Sequence, residues 1–271
     1  MTVREELDLF GGPEHLYGCR NMPSGPVSAG VVVCTSPLDP AVDEGRAMRL
    51  GRRLARAGVA VQRFHCHGYP PSDGDPSTVG FASLVDDARQ ALELLRARCR
   101  PARLGFVGAR FGALVAARLA QAHEGAPLAL WEPVSDPHSV LERAARTRGS
   151  PPGAGTAVDL FDLPLAGDLL DGVLVGGLVD ELGAGRRPVL LVQTSPGEAL
   201  QPAYAELVAR CRDRDMSIEA ECHPCDGERH GSPVPVAPSD TMVERTASWL
   251  AARLGAFDAT PNGQDGDVRR G

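Results

Sequence analysis

The sequence predicts an α/β architecture: a mostly parallel central sheet with helices on both faces and a small helical cap insertion. Three observations carry this expectation. From about Val27 onward, short runs of β-branched and apolar residues alternate with amphipathic stretches of helical period, the order that builds βαβ units. The strand-like runs are apolar throughout, as strands covered on both faces are. The alternation then stops between Pro133 and Arg187 and resumes after it, the signature of an insertion laid over a sheet. With 271 residues the chain is long enough for one full-sized core.

Each element has its own reason. Two apolar-alternating stretches, 7–10 and 15–19, predict an antiparallel hairpin at the sheet edge. Residues 31–33 are all Val and predict a buried strand. Residues 43–57 follow with Met48, Leu50, Leu54 and Ala57 at helical spacing, and Gly58 ends the helix. A strand is expected over 59–64, and a polar loop broken by Gly and Pro over 72–77. Residues 81–98 predict a helix, with Leu84, Ala88, Ala91, Leu92 and Leu95 on one face. A short strand over 104–107, an alanine-rich helix over 111–121 and a strand over 128–131 complete the first half. In the insertion no clear strand is expected, only helical patches over 138–147 and 167–182 flanking a Pro/Gly loop at 150–156. Strands over 189–193 and 217–222 and helices over 202–212 and 240–254 close the sheet. The expected organisation is therefore core over 1–133, cap over 134–187, core over 188–254, and a polar, disordered tail over 255–271.

Composition excludes several classes of function. All 28 basic residues are Arg, so no mechanism needing a lysine, such as a Schiff base, is available. Abundant Arg, Ala, Gly and Pro suggest a GC-rich bacterial genome. A net charge of −7 argues against nucleic acid, which requires a basic surface. No run approaches the ~20 apolar residues of a membrane helix, and the acidic start lacks a signal-peptide core, so a cytoplasmic protein is expected. Seven cysteines in a chain of this size read as small apolar core residues and not as a disulfide framework.

The sharpest local pattern is Gly108-Ala109-Arg110-Phe111-Gly112-Ala113, placed after a strand and opening a helix. That is the setting of the Gly-x-nucleophile-x-Gly elbow of α/β-hydrolases, a turn tight enough to need small residues on either side of its apex. The apex here is Arg110, which keeps its proton at any working pH and cannot attack as a nucleophile. A cation at a helix N-terminus is unfavourable by ~0.3–1 kcal/mol unless something negative lies beside it. Two readings stay open. Arg110 is neutralised by an internal carboxylate, for which Glu132 at the end of the neighbouring strand is the best placed; or it holds a substrate carboxylate, phosphate or developing oxyanion.

Further motifs extend the likeness. They are Pro37 before the helix start at Asp43, the stretch Arg63-Phe64-His65-Cys66-His67-Gly68-Tyr69-Pro70-Pro71-Ser72-Asp73-Gly74, and Leu130-Trp131-Glu132-Pro133-Val134, with Val158 to Leu165 fitting more loosely. With the elbow, these make the chain resemble the serine-aminopeptidase-like branch of the α/β-hydrolase superfamily, and in particular the exosortase A system-associated hydrolases, where Arg often occupies the elbow apex. The resemblance runs from Leu7 to Leu254. It departs at His65, where the branch usually has Asp, and at Pro70–Pro71, where a Gly is usual.

Chemistry in such a sheet sits beyond the strand C-termini, and this selects the candidates. Cys34, Thr35 and Ser36 follow the first parallel strand, where the fold places oxyanion-binding N–H groups. Cys34 is a thiol nucleophile in one reading and a buried apolar residue in the one its residue type favours. His65 and His67 follow the next strand; a His-x-His pair on extended chain points opposite ways, so no metal is expected there. Glu198 occupies the usual place of a triad acid, and His230 or His223 that of the triad histidine, with His230 preferred for the flexible Gly231 after it. Glu198 is equally explained as helix capping, and His230 as a solvent-facing loop residue. Cys222-His223-Pro224-Cys225 has thiolate-pair spacing but no evident second ligand pair. The expectation is thus a catalytic set of His230, Arg110 and Glu198, substrate contacts from Cys34, Thr35, Ser36, Phe111, Glu132 and His65, and neither metal nor cofactor.

Three functions are compatible with this. The first is an enzyme of hydrolase, lyase or cyclase type acting on a small acyl, carbonyl or carboxylate-bearing metabolite by general acid–base chemistry. The second is a binding or scaffold protein of a biosynthetic pathway that kept the fold without catalysis. The third is an esterase or thioesterase with a displaced nucleophile such as Cys34, Ser36 or Ser195. The partners expected are a small molecule and at most a second copy of the chain as a homodimer, with no nucleic acid and no membrane.

Overall fold

A computed structural model of the chain describes residues 2–35, 40–138, 158–160, 163–165, 169–183, 185–195, 197, 199–224 and 240–256. Its centre is an eight-stranded sheet in the order β1-β2-β4-β3-β5-β6-β9-β10. The edge hairpin β1 (Arg4–Gly11) and β2 (His15–Met22) is antiparallel, and β2 also pairs antiparallel with β4. From β4 (Val59–Phe64) through β3 (Ala29–Cys34), β5 (Leu104–Ala109), β6 (Leu128–Trp131), β9 (Val189–Ser195) and β10 (Ile218–Pro224) every pairing is parallel. The chain steps outward from β3 to β4, then returns to the other side of β3 with β5. That reversal puts a crevice at the C-terminal ends of β3 and β5, where open α/β sheets bind ligands.

Alternation of side chains along the strands divides the core into two layers. Val32, Ala60, Phe106, Leu128, Leu130 and Leu191 face one way and meet α2 (Phe81–Cys99), α3 (Gly112–Gln121) and α5 (Pro202–Arg212). Val31, Val33, Val61, Val107, Trp131 and Val192 face the other way, toward α1 (Pro40–Arg56) and α6 (Asp240–Arg253). The Trp131 indole on this second side donates to the Thr246 hydroxyl at 3.0 Å, inside the core, which satisfies its one polar atom on burial.

Between 134 and 187 the described residues depart from expectation. A strand pair is present where none is expected: β7 (Val158–Leu160) and β8 (Leu163–Leu165) form an antiparallel hairpin. The helix expected over 167–182 forms only as α4 (Leu178–Leu182), with turns before it. Gly172 and Gly177 take φ of +88° and +62°, outside the right-handed helical region. The start of α4 and α4 itself are tied to α3 by charge. Arg118 of α3 donates to both carboxylate oxygens of the fully buried Glu181 at 2.6 Å, and the Leu174 N–H donates to the same carboxylate. The patch expected over 138–147, the loop at 150–156 and the tail beyond 256 lie outside the described residues. Among the described residues, no helix is long and apolar enough to cross a membrane, and the cysteines are free thiols.

Candidate functional site

The turn between β5 and α3 is built by two close approaches. A Cβ on Gly108 would sit 2.5 Å from the Ala113 Cα, and one on Gly112 would sit 2.3 Å from the Cys34 carbonyl oxygen. Only glycine leaves room for the helix to start against the strand and against the end of β3. Between them Arg110 has φ of +50°, an uncommon region for a residue with a side chain. Backbone hydrogen bonds hold it there: Arg110 N donates to the Trp131 carbonyl at 2.9 Å, and Val134 N donates to the Arg110 carbonyl at 3.1 Å. One strand along, Glu132 has φ of +44° and its N–H donates to the Val192 carbonyl at 2.9 Å. Two residues in the left-handed region thus stand side by side beyond β5 and β6. Each costs about 1–3 kcal/mol, and strain of this kind clusters at functional sites.

Their side chains meet. Arg110 Nη2 lies 3.6 Å from Glu132 Oε2, and Arg110 Nε lies 3.6 Å from Asp43 Oδ2. These are ion-pair distances longer than hydrogen bonds. The tighter bond belongs to Arg46, whose Nη1 donates to Glu132 Oε2 at 2.8 Å and lies 3.8 Å from Asp43 Oδ1. The other Glu132 oxygen accepts from the Thr194 N–H at 3.2 Å and from the Thr194 hydroxyl. Two guanidinium groups and two carboxylates therefore interlock over the sheet edge. Asp43 is fully buried, Arg46 nearly so, and the Arg110 side chain keeps 35% of its surface exposed, making it the member of the four that faces outward. Burial pushes the Glu132 carboxyl up, but Thr194, Arg46 and Arg110 together outweigh it and hold the group below its ordinary range. The Tyr204 phenol of α5 lies within the same field: burial and Glu132 push it up to about 12, with Arg110 opposing.

The structure brings Arg110 and Glu132 together, as the scaffold argument expects, and places the other candidates as follows. Cys34 is buried, and burial pushes its thiol up to about 12; a thiol that stays protonated is a poor nucleophile. The Phe111 side chain is core, packed edge-on against Phe81 at 6.4 Å between ring centroids, so a ligand contact from this residue would come from its main chain. Thr35 is half-buried at the end of β3. His65 Nδ1 faces Glu44 at 3.5 Å and its ring stands edge-on to Tyr17. His67 Nδ1 is 2.8 Å from Asp87 Oδ2, a pairing between the loop after β4 and α2. His223 Nε2 lies 3.2 Å from Glu221, which also accepts from Arg245 of α6. Ser195 accepts from Gly197 N. Ser36, Glu198 and His230 lie outside the described residues, as does Cys225. No group of three or more His, Cys, Asp or Glu among the described residues could hold a metal ion.

Asp43, Arg46, Thr194 and Tyr204 join the site without being singled out by the sequence. The one local signal is the Asp43/Arg46 spacing of three at the start of α1, which reads as an ordinary helix ion pair. Thr194 and Tyr204 carry no local signal.

The sequence matches no protein-family profile and no curated protein. Solved structures do match over nearly the whole chain. The Est1E protein of Butyrivibrio proteoclasticus, solved with ferulic acid bound, superposes with a TM-score of 0.68 at 16% identity, over 89% of this chain and 96% of its own. An esterase from Pyrococcus furiosus gives 0.63 at 15% identity, over 94% and 90%. An alpha-beta serine hydrolase homologue from Coxiella burnetii gives 0.59 at 17% identity, over 92% and 97%. Together with the eight-stranded, mostly parallel sheet, the switch point at β3 and the Gly108–Gly112 turn, these likenesses identify the chain's architecture as the α/β-hydrolase fold.

Proposed function

We propose that this protein acts on a small acyl, carbonyl or carboxylate-bearing metabolite without forming a covalent acyl-enzyme. Arg110 takes the position from which relatives of this fold attack, and it binds the ligand's anionic or carbonyl oxygen instead. The observation that carries this is the state of the Arg110 side chain. It is the partly exposed member of a four-group ion cluster, 3.6 Å from both Asp43 and Glu132, with 35% of its side-chain surface open to a ligand. A guanidinium fork at a helix N-terminus suits a carboxylate or an oxyanion. Arg46 and Thr194 fix Glu132, and Glu132 in turn aims Arg110. His230 is the proton-transfer group of this proposal, with Glu198 orienting it, by their places in the chain after β10 and β9. A kinship with the exosortase A system-associated hydrolases, and with it a bacterial biosynthetic role, belongs to the same proposal.

A second reading rests on the balance of the cluster. Asp43 and Glu132 already offset the two arginines, so the charge at the apex also suits a binding or scaffold protein that converts nothing. A displaced cysteine nucleophile fits less well, since Cys34 is buried and its thiol is pushed up.

The test is a panel of acyl esters, thioesters and carboxylated lactones given to the wild type and to Arg110→Gln and His230→Ala, with intact-mass detection of adducts. Turnover lost in both variants with no covalent intermediate supports the enzyme. Turnover unchanged in both overturns it. A panel member that binds and is recovered unconverted selects the binding protein.

A further inference from the structure

A second cationic site lies at the opposite end of the sheet, among the N-terminal ends of the parallel strands. Arg187 leads into β9 and is 94% buried, being 6% exposed. Its Nε and Nη1 are sealed from solvent and hydrogen-bonded to nothing, and no ion pair reaches it among the described residues. A buried guanidinium without an acceptor is costly, and such groups are normally paired. The neighbouring groups add positive charge and no acceptor for it. Pro188, next in sequence, accepts from Leu128 N at 3.0 Å, and Ala126 N donates to the His123 carbonyl at 3.2 Å, so Arg187 is laced to the turn that carries His123. The His123 ring stacks on Phe106 with centroids 5.4 Å apart. Its Nδ1 lies 3.3 Å from Arg96 Nη2. A guanidinium only donates, so Nδ1 is the acceptor, and the ring hydrogen sits on Nε2. Burial, Arg96 and Arg187 all act to keep this imidazole neutral, and among the described residues no carboxylate opposes them. Glu124, the nearest carboxylate in sequence, pairs with none of the three among the described residues.

We propose that Arg187, with Arg96 and His123, forms a binding site for an oxyanion, a phosphoryl or carboxylate group, at the end of the sheet remote from Arg110. Arg187 supplies the two N–H groups that have no acceptor among the described residues, His123 supplies Nε2–H, and Arg96 supplies charge from the exposed rim. An anion seated there satisfies groups that the described residues leave unsatisfied, and it ties the start of β9 to the ends of α2 and α3. The site is independent of the elbow.

The experiment is thermal unfolding against increasing inorganic phosphate, and in a parallel arm acetate, with chloride holding ionic strength constant. The wild type is expected to gain a saturable rise in Tm, roughly 5 °C at an anion concentration of about 100 times Kd, and the arm with the lower half-saturation identifies the group bound. Arg187→Met is expected to lose the response while melting no lower than wild type in chloride alone, because it removes an unpaired buried charge. Arg96→Gln, a change at an exposed residue, keeps the fold and weakens half-saturation several-fold. The same titrations are made in the Arg110→Gln background, where the elbow's own affinity for anions is removed; a saturable response that persists there and is lost on adding Arg187→Met separates this site from the elbow. A wild type with no saturable response to either anion, or a response that survives both Arg187→Met and Arg96→Gln, overturns the proposal.

Discussion

Arg110 and Glu132 are bound to each other twice over, through side chains 3.6 Å apart and through a shared backbone distortion. The Arg110 N–H donates to the carbonyl of Trp131, the residue just before Glu132. Each residue caps its strand with a positive φ, and each side chain is thereby thrown over the C-terminal edge of the sheet. Neither conformation is a favourable one for its residue type. The ion cluster with Arg46 and Asp43 is what this distortion positions.

Glu132→Gln removes the carboxylate that lies against both Arg110 and Arg46. Breaking a largely buried pair by deleting one partner costs about 3 kcal/mol, and chemical denaturation at neutral pH measures it. The pH dependence follows from the lowered carboxyl of the folded state. Its stabilising contribution is present above the ordinary carboxyl value of 4.5 and is lost as pH falls through the lower, folded-state value. The wild type should therefore lose stability on acidification more steeply than Glu132→Gln.

Thr194→Val keeps the shape of the side chain and deletes one of the two hydrogen bonds that Thr194 gives to Glu132. The expected loss is about 1–2 kcal/mol, and the Glu132 carboxyl should titrate at a higher pH by NMR. An unmoved titration would show that the Thr194 hydroxyl does not contribute to holding it low.

Glu181→Gln tests how α4 is held against α3. The buried carboxylate accepts from Arg118 through both oxygens, and neutralising it leaves Arg118 without its counter-ion. A loss of roughly 3 kcal/mol and faster proteolysis within 169–182 are expected. Unchanged proteolysis would mean that apolar contacts from Leu169, Leu178 and Leu182 suffice.

His67 titrates in the opposite sense from Glu132. The hydrogen bond that its ring gives to the Asp87 carboxylate raises its pKa in the folded state against the effect of burial. The stabilisation is fully present below the ordinary imidazole value of 6.5 and is lost as pH rises through the higher folded value. Asp87→Asn should remove that portion of the pH dependence between neutral and mildly alkaline conditions, as read by denaturation midpoints.

The regular elements were legible because burial on two faces leaves a strong periodic record. The strands over 59–64 and 128–131 and the helix over 202–212 coincide with the structure, and the edge hairpin needs only extension to Arg4–Gly11 and His15–Met22. The β7–β8 hairpin left no such record, because strands of three residues are shorter than any period that could announce them. Arg110 and Glu132 were legible from strand ends alone. Asp43, Arg46 and Thr194 were not: they come from α1 and β9, and only the tertiary packing of those elements brings them to Glu132.

Where a ligand oxygen goes decides whether Arg110 is a binding group. A crystal structure of the protein with a carboxylate-bearing compound that it binds should place a carboxylate oxygen about 2.7–2.9 Å from the Arg110 guanidinium, with Glu132 still bonded to Arg46 and Thr194. A ligand covalently attached to any residue of the sheet edge, or one seated elsewhere with no contact to Arg110, would contradict that role.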